Sequence, residues 1–258
     1  MIDTVFNGFR HGFLNLLFPP QCLLCRTPLF PCPAEPPEIL CAGCLADIPL
    51  NTPPFCRRCS HPLPTGLDDF CLTCCKRDPH FDRAWSACLY EGVLPRLIHL
   101  FKYGQKTGLR KPFAGLMKNF LNSYHIHLQE CDLIIPVPLH AVRFRERGYN
   151  QAYLLSDLLG EYLNVPVQTQ ALLRCRPTAF QARLAQKERW TNISGAFKIK
   201  HSQGLRNRTI LLVDDLLTTG ATVSEAAGVL KSAGARKVYV LTLAIAVEEI
   251  PVSTSNRK

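Results

Sequence analysis

From residue 81 onward, short apolar runs alternate with stretches in which apolar side chains recur every three or four positions. The short runs predict strands, and the helical recurrence predicts amphipathic helices. Strands are predicted within residues 79–92, 131–138, 165–174, 208–215 and 236–246, and helices within 94–104, 108–125, 148–164 and 219–235. The strand runs lack polar alternation, which is typical of strands buried on both faces. This order of elements predicts an α/β fold with a parallel sheet.

The N-terminal stretch, residues 1–18, has a different pattern. Phe6, Phe9, Phe13 and two leucines recur at helical spacing, so we expect an amphipathic docking helix there. Its polar face holds few Lys or Arg residues, which favours packing on the protein body over a membrane-surface helix. Polar residues interrupt the apolar positions, unlike the core of a signal peptide. No apolar run reaches the roughly 18 residues of a membrane span, and we expect a cytoplasmic protein.

The region before the predicted sheet, residues 19–80, is rich in cysteine. The chain has thirteen cysteines, an odd number, and most of them occur in CxxC pairs. A secreted disulfide framework would be shorter and would hold an even number, so we expect reduced thiols in the cytoplasm. The four pairs are Cys22 with Cys25, Cys41 with Cys44, Cys56 with Cys59, and Cys71 with Cys74.

The spacing of these pairs is typical of two zinc sites with four cysteine ligands each. Fifteen residues separate the first pair from the second, and eleven separate the third from the fourth. One CxxC turn places two thiolates on a metal ion, and a second turn completes the tetrahedron. Redox pairs and disulfides are the alternatives, and sequential pairing of the turns is favoured over interleaved pairing. Cys32 and Cys75 are left over. With no open coordination position, both zinc ions are expected to be structural.

Positive charge is concentrated in the second part of the chain. The formal net charge is +10, but residues 1–80 hold 6 Lys/Arg against 7 Asp/Glu. Residues 81–258 hold 24 Lys/Arg against 13 Asp/Glu. Such an excess indicates salt-dependent affinity for a polyanion such as nucleic acid. Zinc-bound thiolates would add negative charge to the first part, so we expect the basic surface on the second.

The stretch ILLVDDLLTTGAT, residues 210–222, carries the most specific chemistry. Asp214 and Asp215 follow a buried apolar run, and a loop rich in threonine then opens the next predicted helix. Paired carboxylates can accept hydrogen bonds from sugar hydroxyls or hold Mg²⁺. Backbone N–H groups at a helix start bind phosphate, and threonine hydroxyls add donors. The loop residues are Thr218, Thr219, Gly220, Ala221 and Thr222.

Two other interpretations of this stretch were weighed. A strand running into an ordinary helix cap would explain one aspartate or one threonine, but not the whole set. A nucleotide triphosphatase would need the pattern GxxxxGK[ST], which the chain lacks.

This stretch resembles the 5-phosphoribosyl-1-pyrophosphate (PRPP) motif of type I phosphoribosyltransferases at every position. The resemblance implies that Asp214 and Asp215 hold the ribose hydroxyls, with Mg²⁺ bound alongside PRPP. It also implies that residues 218–222 hold the 5-phosphate. Residues 81–250 would then form a phosphoribosyltransferase-like domain, followed by a flexible tail over residues 251–258.

Two more stretches narrow the resemblance to the ComF family, which is linked to competence, DNA uptake and DNA utilization. They are PVPLHAVRFRERGYNQA at residues 136–152 and TAFQARLAQKERWTNISGAF at residues 178–197. They occur in the family's order behind the cysteine-rich module, and FKYG at residues 101–104 is also similar to the family. The resemblance implies an N-terminal double zinc ribbon joined to the transferase-like domain.

Basic residues in these two stretches are candidates for phosphate binding. Arginine forks suit phosphate oxygens, and by resemblance the loop after the strand ending at Pro136 would bind pyrophosphate. Instead of pyrophosphate, this first set could bind nucleic-acid phosphate, or it could simply face solvent. The set comprises His140, Arg143, Arg145 and Arg147. By resemblance, the second set belongs to a flexible loop that closes over PRPP, and it comprises Arg176, Thr178, Gln181, Arg189 and Asn192.

Two functions follow from these features. The first is a ComF-like protein of DNA uptake or utilization that binds PRPP and single-stranded DNA. Arginines interleaved with Phe144, Tyr149, Phe180 and Trp190 suit such a strand, and competence or DNA-processing proteins are expected as partners. The alternative is an active PRPP-dependent transferase acting on a base-like acceptor. No residue stands out as a general base, so the catalytic residues are unknown and the fold alone does not decide between the two.

Overall fold

The structure is a computed structural model that describes residues 19–29, 39–64, 69–177 and 186–247. It divides into two compact units, residues 1–48 and residues 49–258. The expected docking helix over residues 1–18 and the expected tail over residues 251–258 lie outside the described residues. The domain boundaries drawn from the sequence remain a prediction.

The first unit holds the first two CxxC pairs. Gln21 and Pro28 form an isolated antiparallel bridge around the first pair, and helix α1 follows at Ala42–Ala46. Cys41 caps this helix, since its Sγ accepts a hydrogen bond from the backbone N–H of Cys44 at 3.4 Å. A thiolate in this position satisfies an otherwise unpaired donor at the helix start.

The second unit begins with the same local arrangement. An isolated bridge joins Phe55 to Pro62 around the third CxxC pair, and helix α2 spans Leu72–Lys76 after Cys71. Cys71 has φ −70° and ψ 161°, close to the φ −75° and ψ 159° of Cys41. The two cysteine-rich segments are therefore structural repeats, each made of a bridge, a CxxC turn and a short helix.

A four-stranded parallel sheet forms the centre of the second unit, in the order β1–β6–β5–β2. The predicted parallel sheet is confirmed. Strands β3 and β4 form a separate antiparallel pair. The strands are β1 Arg83–Leu89, β2 Leu133–Pro136, β3 Leu172–Arg174, β4 Phe197–Ile199, β5 Thr209–Leu217 and β6 Lys237–Ile245. The helices are α3 Leu94–Tyr103, α4 Arg110–Ser123, α5 Ala141–Arg147, α6 Gln151–Leu163, α7 Gln186–Ile193 and α8 Ala221–Ser232.

Both faces of the sheet are covered, as its continuous apolar strands require. Ile210 and Leu212 of β5 belong to a buried cluster with Ala226 and Leu230 of α8. Their neighbours in β5 are equally buried but point to the other face, because successive side chains alternate. On that face α6 packs against β2 and β5, and α4 packs against α6 and β1.

Three local features differ from the sequence prediction. The strand expected within residues 165–174 is limited to β3, Leu172–Arg174. Earlier in that range, Val167 forms an isolated parallel bridge with Ile134 of β2. The arginine-rich segment after β2 is a helix, α5, although it buries no residue and so carries no apolar stripe. Strand β5 continues to Leu217, beyond the predicted range of 208–215, because β6 still pairs with it after β2 has ended.

Candidate functional site

Each zinc site is assembled from two consecutive CxxC turns. The sulfur atoms of Cys22, Cys25, Cys41 and Cys44 all lie within 4.8 Å of one another, and so do those of Cys56, Cys59, Cys71 and Cys74. The Sγ atoms of Cys25 and Cys41 are 3.6 Å apart, and those of Cys59 and Cys71 are 3.5 Å apart. A tetrahedron with Zn–S bonds of about 2.3 Å has edges of about 3.8 Å, so both clusters fit zinc.

The pairing of the turns is sequential. Cys75 is exposed and lies outside the cluster formed by its neighbour Cys74. Cys32 lies outside the described residues. Four thiolates complete the coordination of each ion, so these are structural zinc sites with no open position for a substrate.

The two adjacent aspartates occupy different environments on β5. Strand β2 leaves the sheet where the N–H of Val137 bonds the carbonyl of Val213 at 2.9 Å, and a cleft opens beside the residues that follow. Asp214 is half-buried at this cleft, and one of its oxygens accepts a hydrogen bond from the backbone N–H of Asp215 at 2.9 Å. The Asp215 side chain is 2% exposed. Alternation along a strand that continues through both residues turns one side chain outward and the other inward.

The Asp215 carboxylate is held by an ion pair and a hydrogen bond. Lys102, at the end of α3, forms a salt bridge with it, and the Nε2 of Gln151 donates to its Oδ1 at 3.0 Å. Burial alone would raise the pKa of Asp215, but the charge of Lys102 and the hydrogen bonds from Lys102 and Gln151 together outweigh burial and keep that pKa below its usual value. Burial would likewise lower the pKa of Lys102, and the charge of Asp215 raises it instead. Asp215 is therefore a carboxylate and Lys102 an ammonium at neutral pH.

The pKa of Asp214 is shifted in the opposite direction. Burial, followed by the charge of the neighbouring Asp215, raises the pKa of Asp214 to about 7. An anionic Asp214 is thus poorly stabilised by the protein itself. A cation or a set of hydroxyl donors placed in the cleft would stabilise its charged form.

Lys102 was missed as a site residue by the sequence analysis. The only signal was its place in FKYG at residues 101–104, which carried no chemical role of its own. Arg147 extends the same network, since it donates to the Oε1 of Gln151 and stacks over the ring of Tyr103 at 4.9 Å. The first helix after β1 thereby contributes to the cleft at the end of β5.

The loop after β5 forms an open helix start. Gly220 adopts φ +78°, a left-handed conformation that other residues rarely take, and as the N-cap residue of helix α8 it supplies no side-chain cap. The hydroxyl of Thr219 accepts from the N–H of Ala221 at 3.4 Å. The remaining N–H groups of the first turn are available to an anion, which the partial positive charge of a helix N-terminus favours.

A cavity of about 720 Å³ joins the aspartates, this loop and the basic residues after β2. Predicted residues that line it are Asp214, Asp215, Thr218, Thr219, Ala221, Thr222, His140, Arg143 and Arg147. Lys102, Gln151 and Arg174 also line it, and burial lowers the pKa of Arg174. Gly220 and Arg145 are not part of its lining.

The basic helix α5 begins with a side-chain cap. The Nδ1 of His140 accepts from the N–H of Val142 at 3.3 Å, and Arg143 forms a salt bridge with Glu146 at 3.0 Å. Phe144 is 50% exposed between the arginines. Tyr149 is less available than the sequence indicated, because its hydroxyl donates to the carbonyl of Phe101.

The second basic set is only partly described. The Nη2 of Arg176 donates to the carbonyls of Asn192 and Ser194 at 2.9 and 2.6 Å, which ties β3 to the segment after α7. Thr178 and Gln181, with Phe180, lie outside the described residues, and the position of Arg189 is described only as part of α7. The expected closing loop therefore stays a prediction.

Comparison with known proteins identifies relatives over most of the chain. A family model described as a double zinc ribbon domain matches residues 13–76. Competence protein F of Haemophilus influenzae is 32% identical over 210 residues, which cover 80% of this chain and 90% of that protein. DNA utilization protein YhgH of Salmonella typhi is 32% identical over 232 residues, which cover 88% of this chain and 98% of that protein.

Among solved structures, glutamine PRPP amidotransferase from B. subtilis has a TM-score of 0.37 at 15% identity, covering 56% of this chain and 30% of that chain. Within the described residues, no helix is both long enough and apolar enough to cross a bilayer. The fold class predicted from the sequence is confirmed, with a parallel α/β sheet and a double zinc ribbon. From its identity to competence protein F and to YhgH over most of its length, the chain belongs to the ComF family.

Proposed function

We propose that the protein serves DNA uptake or utilization by binding PRPP with Mg²⁺ in the cavity at the end of β5 and single-stranded DNA on the adjoining basic helix. The observation that supports this most is the convergence of an anion-binding helix start, an outward carboxylate and several cations on one cavity. These three groups match the three parts of PRPP. Ligands of parallel α/β sheets bind at this edge of the strands.

The 5-phosphate belongs at the start of α8. The uncapped N–H groups there and the hydroxyls of Thr218 and Thr222 supply donors, and Gly220 lets the backbone approach closely. The ribose hydroxyls belong beside Asp214, which accepts hydrogen bonds from them or binds Mg²⁺. Asp215 acts indirectly, because its buried salt bridge to Lys102 fixes the strand on which Asp214 is carried.

The diphosphate belongs against His140, Arg143 and Arg147. Planar guanidinium groups form paired hydrogen bonds with phosphate oxygens, and Mg²⁺ held by Asp214 would supply further positive charge to the cavity. Arg147 is already oriented for this by Tyr103 and Gln151. Fixing a guanidinium before binding reduces the entropy lost when the ligand arrives.

Single-stranded DNA binding is supported by the surface of α5. Its three arginines flank Phe144, which is exposed and can stack on a base while the arginines contact phosphates. The excess of Lys and Arg over Asp and Glu in residues 81–258 adds a general attraction to nucleic acid. The names of the two relatives, competence protein F and DNA utilization protein YhgH, point to the same biology.

Titration calorimetry of the zinc-loaded protein with PRPP and Mg²⁺ tests the first half of the proposal. Asp214→Asn should weaken PRPP binding by about tenfold or more, since a carboxylate ligand is lost. Glu161→Gln removes an exposed carboxylate on α6 outside the cavity and is the matched control. Equal affinities in both variants would refute the placement of ribose or Mg²⁺ at Asp214.

A further inference from the structure

A second cavity, of about 800 Å³, lies on the other side of the phosphate loop. One wall is the second zinc ribbon, which contributes Cys59, Cys71 and Cys74, and the opposite wall is formed by the ends of β5 and β6. Thr218 and Thr219 line both this cavity and the first one. A group bound here would therefore be a direct neighbour of a phosphoribosyl ligand in the first cavity.

The lining of the second cavity is largely apolar, and part of it is open to solvent. Phe81 and Leu217 are fully buried at its base, while Phe70 and Leu72 are 50% and 66% exposed. Exposing two large apolar side chains next to each other at a cavity is unfavourable in water and marks a binding surface. A flat ring entering between them and the loop would remove them from water.

The polar groups of the cavity also indicate a ligand. The indole N–H of Trp190 is buried and has no hydrogen-bond partner among the described residues. Such a group can only donate, so it calls for an acceptor, and leaving it unpaired is unfavourable. Arg77 stacks over the same indole at 4.9 Å, which restrains the ring.

The charge of the lining points the same way. Lys76 and Arg77 contribute cations, and no acidic side chain of the described residues lines the cavity. A ring that carries hydrogen-bond acceptors and is attached to, or next to, a phosphate satisfies all of these features.

We propose that the second cavity binds the planar ring of a nucleobase, with the second zinc ribbon as its wall and the Trp190 N–H as a donor to the ring. The chemistry is shared by a free base and by a base within a single DNA strand. A free base would lie next to the phosphate loop that the first cavity shares, and in that respect the inference rests on the proposed function. A base within a strand would be anchored there while its phosphates contact the basic residues.

Tryptophan fluorescence offers a direct test, because the chain has two tryptophans. Trp85 lies in β1 and lines neither cavity, so Trp85→Phe leaves Trp190 as the reporter of the second cavity. Trp190→Phe leaves Trp85 and is the matched control. The probes are adenine, hypoxanthine and uracil as free bases, a ten-residue oligothymidylate, and an abasic oligonucleotide of the same length.

Saturable quenching of Trp190 by a free base supports a site for a free base, and quenching by oligothymidylate but not by the abasic strand supports anchoring of a strand. The Trp85 reporter should not respond. If PRPP binds by calorimetry but neither a base nor oligothymidylate changes Trp190 fluorescence, the nucleobase site is refuted and the proposed function stands. If PRPP fails to bind while a base quenches Trp190, the proposed PRPP site is refuted and the nucleobase site stands.

A second pair of variants keeps the test valid if Trp85→Phe does not fold. Leu72→Glu places a negative charge at the rim of the cavity, and Leu173→Glu does the same on β3, where Leu173 is 45% exposed and lines neither cavity. With the fluorescent base 2-aminopurine as probe, Leu72→Glu should weaken binding about tenfold, since stacking is lost. Unchanged binding in Leu72→Glu, or an equal loss in Leu173→Glu, would overturn the inference.

Discussion

Replacing Lys102 by methionine should destabilise the protein far more than an ordinary lysine substitution. Methionine keeps much of the side-chain volume but leaves the Asp215 carboxylate, which is 2% exposed, with Gln151 as its remaining side-chain partner. Removing one partner of a buried ion pair costs about 3–5 kcal/mol, because the other charge stays buried without compensation. We expect a loss of that size in the free energy of unfolding, measured by urea denaturation of the zinc-loaded protein.

The loss should also depend on pH. In the wild type the pKa of Asp215 is lowered, so its contribution to stability is present above the pKa of the unfolded chain and is lost only in acid. Without Lys102, burial raises that pKa above its unfolded value, and the folded protein then binds a proton that the unfolded chain releases. The variant should therefore lose stability relative to the wild type as the pH rises above the unfolded pKa of an aspartate, which is about 4.

Lys231→Met is the matched control. Lys231 forms a salt bridge with Asp82 at 3.0 Å, but their side chains are 36% and 33% exposed, so we expect a loss below about 1 kcal/mol with little pH dependence. The control also corrects for any effect of pH on zinc binding. Adding Asp215→Asn to Lys102→Met should restore most of the stability. A small loss, a loss independent of pH, or no rescue would refute a buried charge pair at this position.

Three further outcomes are expected. Metal analysis should find two zinc ions per chain, and Cys59→Ser should lose one of them together with a large part of the stability of the second unit. Asp214→Asn should be more stable than the wild type at pH 8 and no more stable near pH 4 in thermal unfolding, because the raised pKa of Asp214 makes its ionisation unfavourable for folding. Arg143→Ala and Arg147→Ala should each weaken oligonucleotide binding and lower its salt dependence by about one unit in a log–log plot, whereas Lys198→Ala on β4 should change neither more than slightly.

The sequence identified the parts of the site that are contiguous in the chain. Asp214 and the loop from Thr218 to Thr222 follow one strand, so the pattern of residues 210–222 contains both their chemistry and their relative order. Lys102 could not be placed in the same way, because it reaches Asp215 only after the sheet has brought the end of α3 to the end of β5. Contacts of that kind depend on packing between distant segments.

The different environments of the two aspartates were also beyond the sequence. A strand that ended at Val213 would have left both side chains in a loop, free to face the same ligand. Because pairing with β6 continues to Leu217, strand alternation separates them into an inward and an outward carboxylate. The sequence also showed no sign of helix α5. None of its residues is buried, so it has no apolar face that would repeat at helical spacing.

The two zinc ribbons repeat one local arrangement, and the second is built into the body of the second unit. Asn51, which is 1% exposed, donates to the carbonyls of Ser60 in the ribbon and Ser86 in β1, at 2.8 and 3.0 Å. The boundary between the compact units therefore falls inside residues 13–76, the span that sequence comparison treats as one domain. Two repeats of one local arrangement thus lie in separate compact units. We expect zinc depletion to proceed in two stages, with loss of the zinc ion in the second unit taking part of that unit's core with it.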